Sequence, residues 1–343
     1  MEAEKIKQNC IIPSAVATIS RAKIKFFKKM DHIPVAGDMI YGEVVSIGQH
    51  KTLESATGRI HLINNSTKAV FVFGNRYAPD YYEGFVPKEL SNKTSLLARG
   101  GVVGEVTCKN DIIAAPTRIR ILGYICDSQG RVMNTKDYSL ISPKENEKKK
   151  CRAKMILCIG TSMNSGKSYA AAACCYSLTS AQKRVRAAKI TGTASLKDIL
   201  LMEDCGAEHI ADFTYLGHPS TYMLPKEDLL DIFNKIDLKH ANNPSNYWVV
   251  EFADGIIQRE TAMLLNMPEI RSRIHKIVFC AQDAFGAIGG VKLLKEKFNL
   301  VPNAISGVCS SSPLAIRELR EFSDIPILHS AEKEFSSIYN LIK

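Results

Sequence analysis

Several things are scarce or missing in this chain of 343 residues, and each absence removes a class of reading. Its ten cysteines form no Cys-x-x-Cys and none pairs with histidine at metal-ligand spacing, which argues against a zinc ribbon or a dithiol redox motif. Most of them stand in apolar runs, where a free cysteine behaves as a small hydrophobe, and a reducing cytoplasm is the expected setting. There is no run of eighteen apolar residues, so no membrane span is expected. Arg21, Lys23, Lys25, Lys28 and Lys29 interrupt the segment after Ile11, so no secretory signal is expected either. Internal repeats and low-complexity tracts are absent. The net charge is +10, yet no block of one sign accounts for it, because lysine and arginine are spread along the chain among acids. The one aromatic-rich stretch, Gly74 to Gly84, carries a single arginine and two acids, which makes a poor base-stacking groove and argues against a nucleic-acid partner.

What is present is enough apolar sequence, 45%, to build substantial cores, over a length more natural for two domains than for one. The densest charge run, Lys144 to Lys154, follows Pro143 and precedes a sharply apolar strand. It marks a linker at 144–153, with a small β-rich barrel or sandwich at 1–143 before it and an α/β domain at 154–343 after it. The first part reads as short strands near 39–47, 59–63, 69–73, 102–107 and 117–125. Gly37-Asp38 and Asp127–Gly130 supply turns, Gly42 and Gly104 suggest bulges or corners, and one helix is expected between Pro87 and Arg99.

After residue 154 apolar runs alternate with helical stretches. Strands are expected at 155–159, 185–190, 247–251, 276–281, 304–309 and 325–328, with helices near 167–182, 195–204, 225–237, 287–297 and 313–321. That alternation predicts a parallel sheet covered on both faces, with ligands at the carboxyl ends of its strands. The first strand runs into Gly160-Thr-Ser-Met-Asn-Ser-Gly166-Lys167-Ser168. Small residues here let backbone N–H groups turn toward phosphate oxygens, and the positive end of the following helix adds to the attraction. Thr161, Asn164, Ser165 and Tyr169 complete the expected nucleotide-binding set with Gly160, Gly166, Lys167 and Ser168. Lys167 would neutralise the terminal phosphates, and the Ser168 hydroxyl would ligate Mg²⁺.

Five residues, not four, separate the two glycines. The lengthened loop resembles that of dethiobiotin synthetase and its relatives among ATP-dependent synthetases of the SIMIBI-type P-loop proteins, and further segments line up in order over roughly 154–330. Ala188-Lys189-Ile-Thr-Gly192 resembles the family's segment whose lysine contacts the substrate carboxyl, which implies substrate contacts at Lys189 and Thr191. Lys197-Asp198 and Val250-Glu251 resemble segments whose acids approach the metal, so the resemblance implies Ser168, Asp198 and Glu251 as Mg²⁺ ligands and Lys167, Lys189 and Glu251 as catalytic. Ser306 to Ser312 resembles the base-reading loop, with Ser311 where the synthetases carry asparagine. Phe252 and Asp254 replace two of that family's glycines, so its own substrate would meet a filled and more acidic pocket, with Asp254 facing the ligand. Looser likeness extends to a P-loop family that includes a D-glutamate N-acetyltransferase, and to the GTP-binding accessory protein of molybdopterin-guanine dinucleotide synthesis.

The segment Ala211 to Tyr222 gathers hydroxyls, His218 and Asp212 into a turn, and Ser220, Thr221 and Tyr222 are expected to touch the substrate, against the alternative of a turn held by its own hydrogen bonds. The leading expectation is an enzyme that uses Mg²⁺ and ATP, with GTP left open, to phosphorylate a small carboxylate-containing acid for attack by a second nucleophile. Two alternatives stand beside it: a nucleotide-dependent switch or assembly ATPase with a macromolecular partner, and a coenzyme A-dependent acyltransferase. The resemblance also implies a homodimer.

Overall fold

The computed structural model describes residues 3–7, 9–141, 152–330 and 335–343, so the expected linker lies outside the described residues from 144 to 151. Two compact units emerge. The first is Met1–Ile141 together with Gly192–Lys197 and Phe213–Tyr222, and the second is Ser142–Thr191, Asp198–Asp212 and Met223–Lys343.

The first unit is a sheet of short strands: β1 (Glu4–Lys5), β2 (Phe26–Lys28), β3 (Met39–Ser46), β6 (Lys68–Phe73), β7 (Tyr82–Phe85), β8 (Lys93–Ala98), β9 (Val102–Lys109) and β10 (Arg118–Cys126), with β4 (Thr52–Glu54) and β5 (Ile60–Leu62) as a separate hairpin. Pairings run in a ring, β10 to β3, β3 to β6, β6 to β9, β9 to β8 and β8 back to β10, and only β6 with β9 is parallel. Phe71, Phe73, Leu96, Val103 and Ile119 form one core against this ring, and Met39, Val70, Val72 and Ile125 contribute to another. The turns expected at Gly37 and Gly130 are present, each with a positive φ that glycine adopts without strain. Gly42 lies opposite Ile121, where the β3–β10 register shifts, and a Cβ there would meet Ile119 and Phe71.

The helix expected between Pro87 and Arg99 is corrected: Lys93–Ala98 is strand β8. Tertiary pairing overrides the helical character of Leu-Leu-Ala, because β9 and β10 flank this segment and five of its six residues are buried.

The second unit is built in the order β11 (Lys154–Gly160), α1 (Lys167–Ser180), β12 (Val185–Lys189), α2 (Lys197–Asp204), β13 (His209–Asp212), α3 (Lys226–His240), β14 (Tyr247–Glu251), α4 (Arg259–Leu265), α5 (Pro268–Arg271), β15 (Ile274–Cys280), α6 (Ala284–Phe298), β16 (Ala304–Ser306), α7 (Pro313–Phe322) and α8 (Phe335–Ile342), where α2 starts in residues assigned to the first unit. Its six strands are parallel in the order β13-β12-β14-β11-β15-β16. This is a mixed α/β architecture with a parallel sheet. Met155 to Ile159 are wholly buried, as a central strand covered on both faces requires. The covering face of α1 is made of small side chains, Ala170, Ala171, Cys174 and Cys175, plus Leu178, so the helix that follows the Gly160–Gly166 loop sits close to the sheet. Residues 325–328 form only a bridge, Ile305 with Ile327, and β13 is an edge strand that its short, half-polar sequence hides.

At the amino end of β11 the carboxylate of Asp237 on α3 accepts from Arg273 Nη2 at 2.9 Å and forms an ion pair with Arg152, whose Nη2 lies 3.0 Å away. Burial lowers the Arg152 guanidinium and the Asp237 charge opposes that shift, so the trio is a buried ionic staple between α3 and the start of the sheet.

Candidate functional site

The strand, loop and helix expected around Gly160 are in place. β11 ends at Gly160, and α1 begins at Lys167 with Gly166 as its N-cap in the left-handed region, φ 93°. That conformation turns the backbone from the loop into the helix, and the position tolerates no side chain, since a Cβ would lie 2.8 Å from Gly307 Cα. Asn164 also has positive φ. The neighbouring strand ends wall the loop: Thr161 N–H donates to the Cys280 carbonyl at the end of β15, and Ile256 N–H donates to the Gly160 carbonyl. A Cβ on Gly255 would stand 2.1 Å from the Thr161 carbonyl oxygen, so only glycine lets the segment after β14 lie this close.

Lys167 is 5% exposed and curls back along the loop, its Nζ donating to the Ser162 carbonyl at 2.7 Å and lying 3.4 Å from Ser165 Oγ. Burial lowers its ammonium below the ordinary range, while the charges of Glu251 and Asp254 act to hold the proton on. A lysine ammonium resting on a loop carbonyl and a hydroxyl is one whose acceptors phosphate oxygens could replace. Of the other expected contacts, Ser165 is buried, with its carbonyl accepting from Val308 N–H at 3.3 Å, while Asn164, Tyr169 and Ser311 are exposed.

At the carboxyl ends of the next strands, register places Lys189 of β12 beside Glu251 of β14 and Asp212 of β13. Lys189 Nζ donates to Asp198 Oδ2 near the start of α2 and lies 3.2 Å from Glu251 Oε1. Burial works to lower this ammonium, but the two carboxylates prevail and raise it above the ordinary lysine value. Lys189, Asp198 and Glu251 are thus brought together, and Glu251 also acts electrostatically on Lys167.

Whether these residues suit Mg²⁺ can be judged from Glu251. It is 1% exposed, and its Oε2 has no hydrogen-bond partner, an arrangement that a cation would relieve. Carboxylate oxygens such as those of Glu251 and Asp198 are of the kind that suits a hard divalent ion.

The expected substrate contacts also have partners within the chain. Thr191 Oγ1 accepts from Ala253 N–H at 2.8 Å, fastening β12 to the segment after β14. Ser220 Oγ accepts from Tyr222 N–H at 3.1 Å, Thr221 Oγ1 accepts from Gly192 N–H at 2.9 Å, and the Tyr222 hydroxyl donates to Glu83. Asp254 is half-buried with φ 58°, and Phe252 is wholly buried. Sequence reasoning gave no role to Gly255 or Gly307, which give the loop its clearances, and put Asp212 in a turn where it is the buried end of β13. An isolated glycine just after an apolar strand was the available signal for the first two.

No family model and no curated protein matches the chain. Among solved structures, two of the signal recognition particle receptor FtsY from Elizabethkingia anophelis, one in complex with GDP, are similar at 9% identity and a TM-score of 0.38 each. The match covers 61% of this chain and 69% and 70% of those chains. Likeness at that level passes neither a family nor a ligand to this protein.

Proposed function

We propose that the second unit binds a nucleoside triphosphate with Mg²⁺ at Gly160–Ser168 and uses it to phosphorylate an oxygen of a small carboxylate-containing acid. The observation that carries the reading is Lys167, buried at the start of α1 with its ammonium donating to the Ser162 carbonyl of the loop and held charged by the electrostatic influence of Glu251 and Asp254. Phosphoryl transfer asks a protein chiefly for positioning and charge neutralisation. In this reading the bond between the γ-phosphorus and its bridging oxygen breaks, the acceptor carboxylate oxygen bonds to phosphorus, and the nucleoside diphosphate leaves. A second nucleophile then expels phosphate from the acyl phosphate. Lys167 holds the transferring group, and the loop amides and the start of α1 orient it. Lys189, kept protonated by Asp198 and Glu251, draws the acceptor anion into line. Ser168, Asp198 and Glu251 would hold Mg²⁺, which would supply further neutralisation of the phosphates. A homodimer, as in the synthetases the sequence resembles, belongs to this proposal, and light scattering tests it.

A nucleotide-dependent switch is the second reading, and the Lys189 ion pairs favour it. They engage both carboxylates assigned to the cation, so loading the site must rearrange them. A panel of ATP, GTP and acetyl-CoA with small acids separates the readings. Stoichiometric nucleotide consumption with one acid, falling at least about a hundredfold in Lys167→Ala, is expected. Slow hydrolysis stimulated only by a macromolecule selects the switch, and binding of acetyl-CoA but no nucleotide removes both.

A further inference from the structure

Asp254 has a backbone conformation that residues with a side chain rarely adopt, φ 58° in the left-handed region. Such a conformation persists where its surroundings over-determine it, and here they do. The peptide just before it is gripped at both polar ends by buried hydroxyls. Thr191 Oγ1 accepts from the Ala253 N–H at 2.8 Å, and Thr261 Oγ1 donates to the Ala253 carbonyl at 2.8 Å. Ahead of this grip the Phe252 N–H donates to the Cys158 carbonyl, and beyond Asp254 the Ile256 N–H donates to the Gly160 carbonyl, so β11 holds the segment on both sides of the turn. Every residue of this arrangement belongs to the second unit.

The turn sets a negative charge against the loop. Gly255 lies so near that a Cβ on it would stand 3.3 Å from Ser162 Cα as well as 2.1 Å from the Thr161 carbonyl oxygen, and the Ser162 carbonyl is the one to which Lys167 donates. Asp254 is therefore next in sequence to the residue packed on the anchor of Lys167, and its charge acts on that ammonium together with the charge of Glu251. With Asp198, three carboxylates are gathered around two ammonium groups, Lys167 and Lys189, so acids outnumber bases before any ligand arrives. A polyphosphate entering here is drawn by Lys167 and the loop amides and opposed by that surplus. A cation travelling with the phosphates reduces the opposition.

We infer that Asp254 is a specificity-determining residue of the proposed nucleotide site: its charge, held against the loop by Thr191 and Thr261, makes the loop prefer a polyphosphate carried as its divalent-cation complex over the bare anion. This rests on the proposed nucleotide reading and deepens it, since it states which charge form of the ligand the loop takes. Thr191 and Thr261 are positioning residues in this account. They act through the Ala253 peptide and touch no ligand.

The test compares wild type with Asp254→Asn in the full chain, because asparagine keeps the shape and tolerates the left-handed conformation while removing the charge. Dissociation constants are measured for ATP, GTP and inorganic tripolyphosphate, each with excess Mg²⁺ and with a chelator. In wild type the Mg²⁺ complex is expected to bind the more tightly. In Asp254→Asn the bare anion should gain about tenfold and the complex, with about half the charge, about threefold, so the gap between them narrows. Tripolyphosphate should show the same narrowing as the nucleotides, and added salt should shrink the effect. Thr191→Val is expected to shift the constants in the same direction and Thr191→Ser to restore them. Should Asp254→Asn fail to fold, Asp254→Gly removes the charge and the backbone strain together and serves in its place. Equal changes in both constants, no change, or a change that salt leaves untouched overturns the inference. Wild type that binds none of the three probes removes the nucleotide reading itself, whereas wild-type binding with a gap that Asp254→Asn leaves unaltered removes this inference alone.

Discussion

Burial removes Lys189 from water, and two carboxylates on different elements restore its charge, Asp198 by a direct hydrogen bond and Glu251 at 3.2 Å. Taking the lysine away would leave both acids facing a site built around a cation. Lys189→Met is expected to cost about 3–5 kcal/mol in urea unfolding, the usual scale for orphaning a buried ionic partner. The double variant Lys189→Met/Glu251→Gln should cost less than the sum of the two single changes, because the orphaned charge goes as well. All three residues were legible in the sequence as strand-end or helix-start charges in a fixed order. Their mutual pairing was not, because it depends on the register that sets Lys189 beside Glu251, which one sequence read alone does not specify. For Ser220, Thr221 and Tyr222 the sequence left two readings level, and each hydroxyl has a partner inside the first unit.

Among the elements, the loop from Gly160 to Gly166 is held by close approaches of backbone to backbone. Gly255 shows this best, since a methyl group there has nowhere to go but the Thr161 carbonyl. Gly255→Ala should lower stability by about 1–3 kcal/mol in chemical denaturation, the usual scale for overpacking, and should weaken nucleotide binding by calorimetry because the loop must shift. In the second unit β11, β12, β14, β15 and β16 and the helices α1, α2, α3, α6 and α7 were legible from their texture, as were β3, β6, β9 and β10, whereas α4, α5 and α8 were not expected. Strand β8 was misread as helix, because local propensity says nothing of the neighbours that pair with Lys93–Ala98. Short strands such as β4 and β13 escaped notice because three or four residues carry too little periodicity.

Across the whole molecule each unit holds a half-buried histidine in a setting that disfavours its charge. Burial, then the Arg76 guanidinium, pushes His50 down to about 4 in the first unit, and burial, then His209, pushes His240 down to about 4 in the second. Both are neutral when folded and bind a proton near pH 6.5 when unfolded, so the unfolded state takes up more protons between these values. Stability is therefore fully present above about pH 6.5 and is lost as pH falls toward 4, by up to about 3 kcal/mol for each histidine. Denaturant unfolding at stepped pH should show this loss, and His50→Gln/His240→Gln should flatten it within that window. At this scale the sequence conveyed a change of texture near residue 150, but not that 192–197 and 213–222 belong with the first unit. Those segments read as ordinary turns, and only their long-range hydrogen bonds, such as Glu54 with Leu196, reveal where they are anchored. Among the described residues no helix is long and apolar enough to cross a membrane.

Isothermal titration of the full chain with ATP and with GTP, with and without Mg²⁺, in wild type and Lys167→Ala, reaches the central claim most directly. The account predicts one saturable site per chain for at least one of the two nucleotides, tightened by Mg²⁺ and weakened at least about tenfold when Lys167 is removed, the loss of a charge-assisted contact. Heat-silent titrations with both nucleotides, or binding that Lys167→Ala leaves intact, would contradict it.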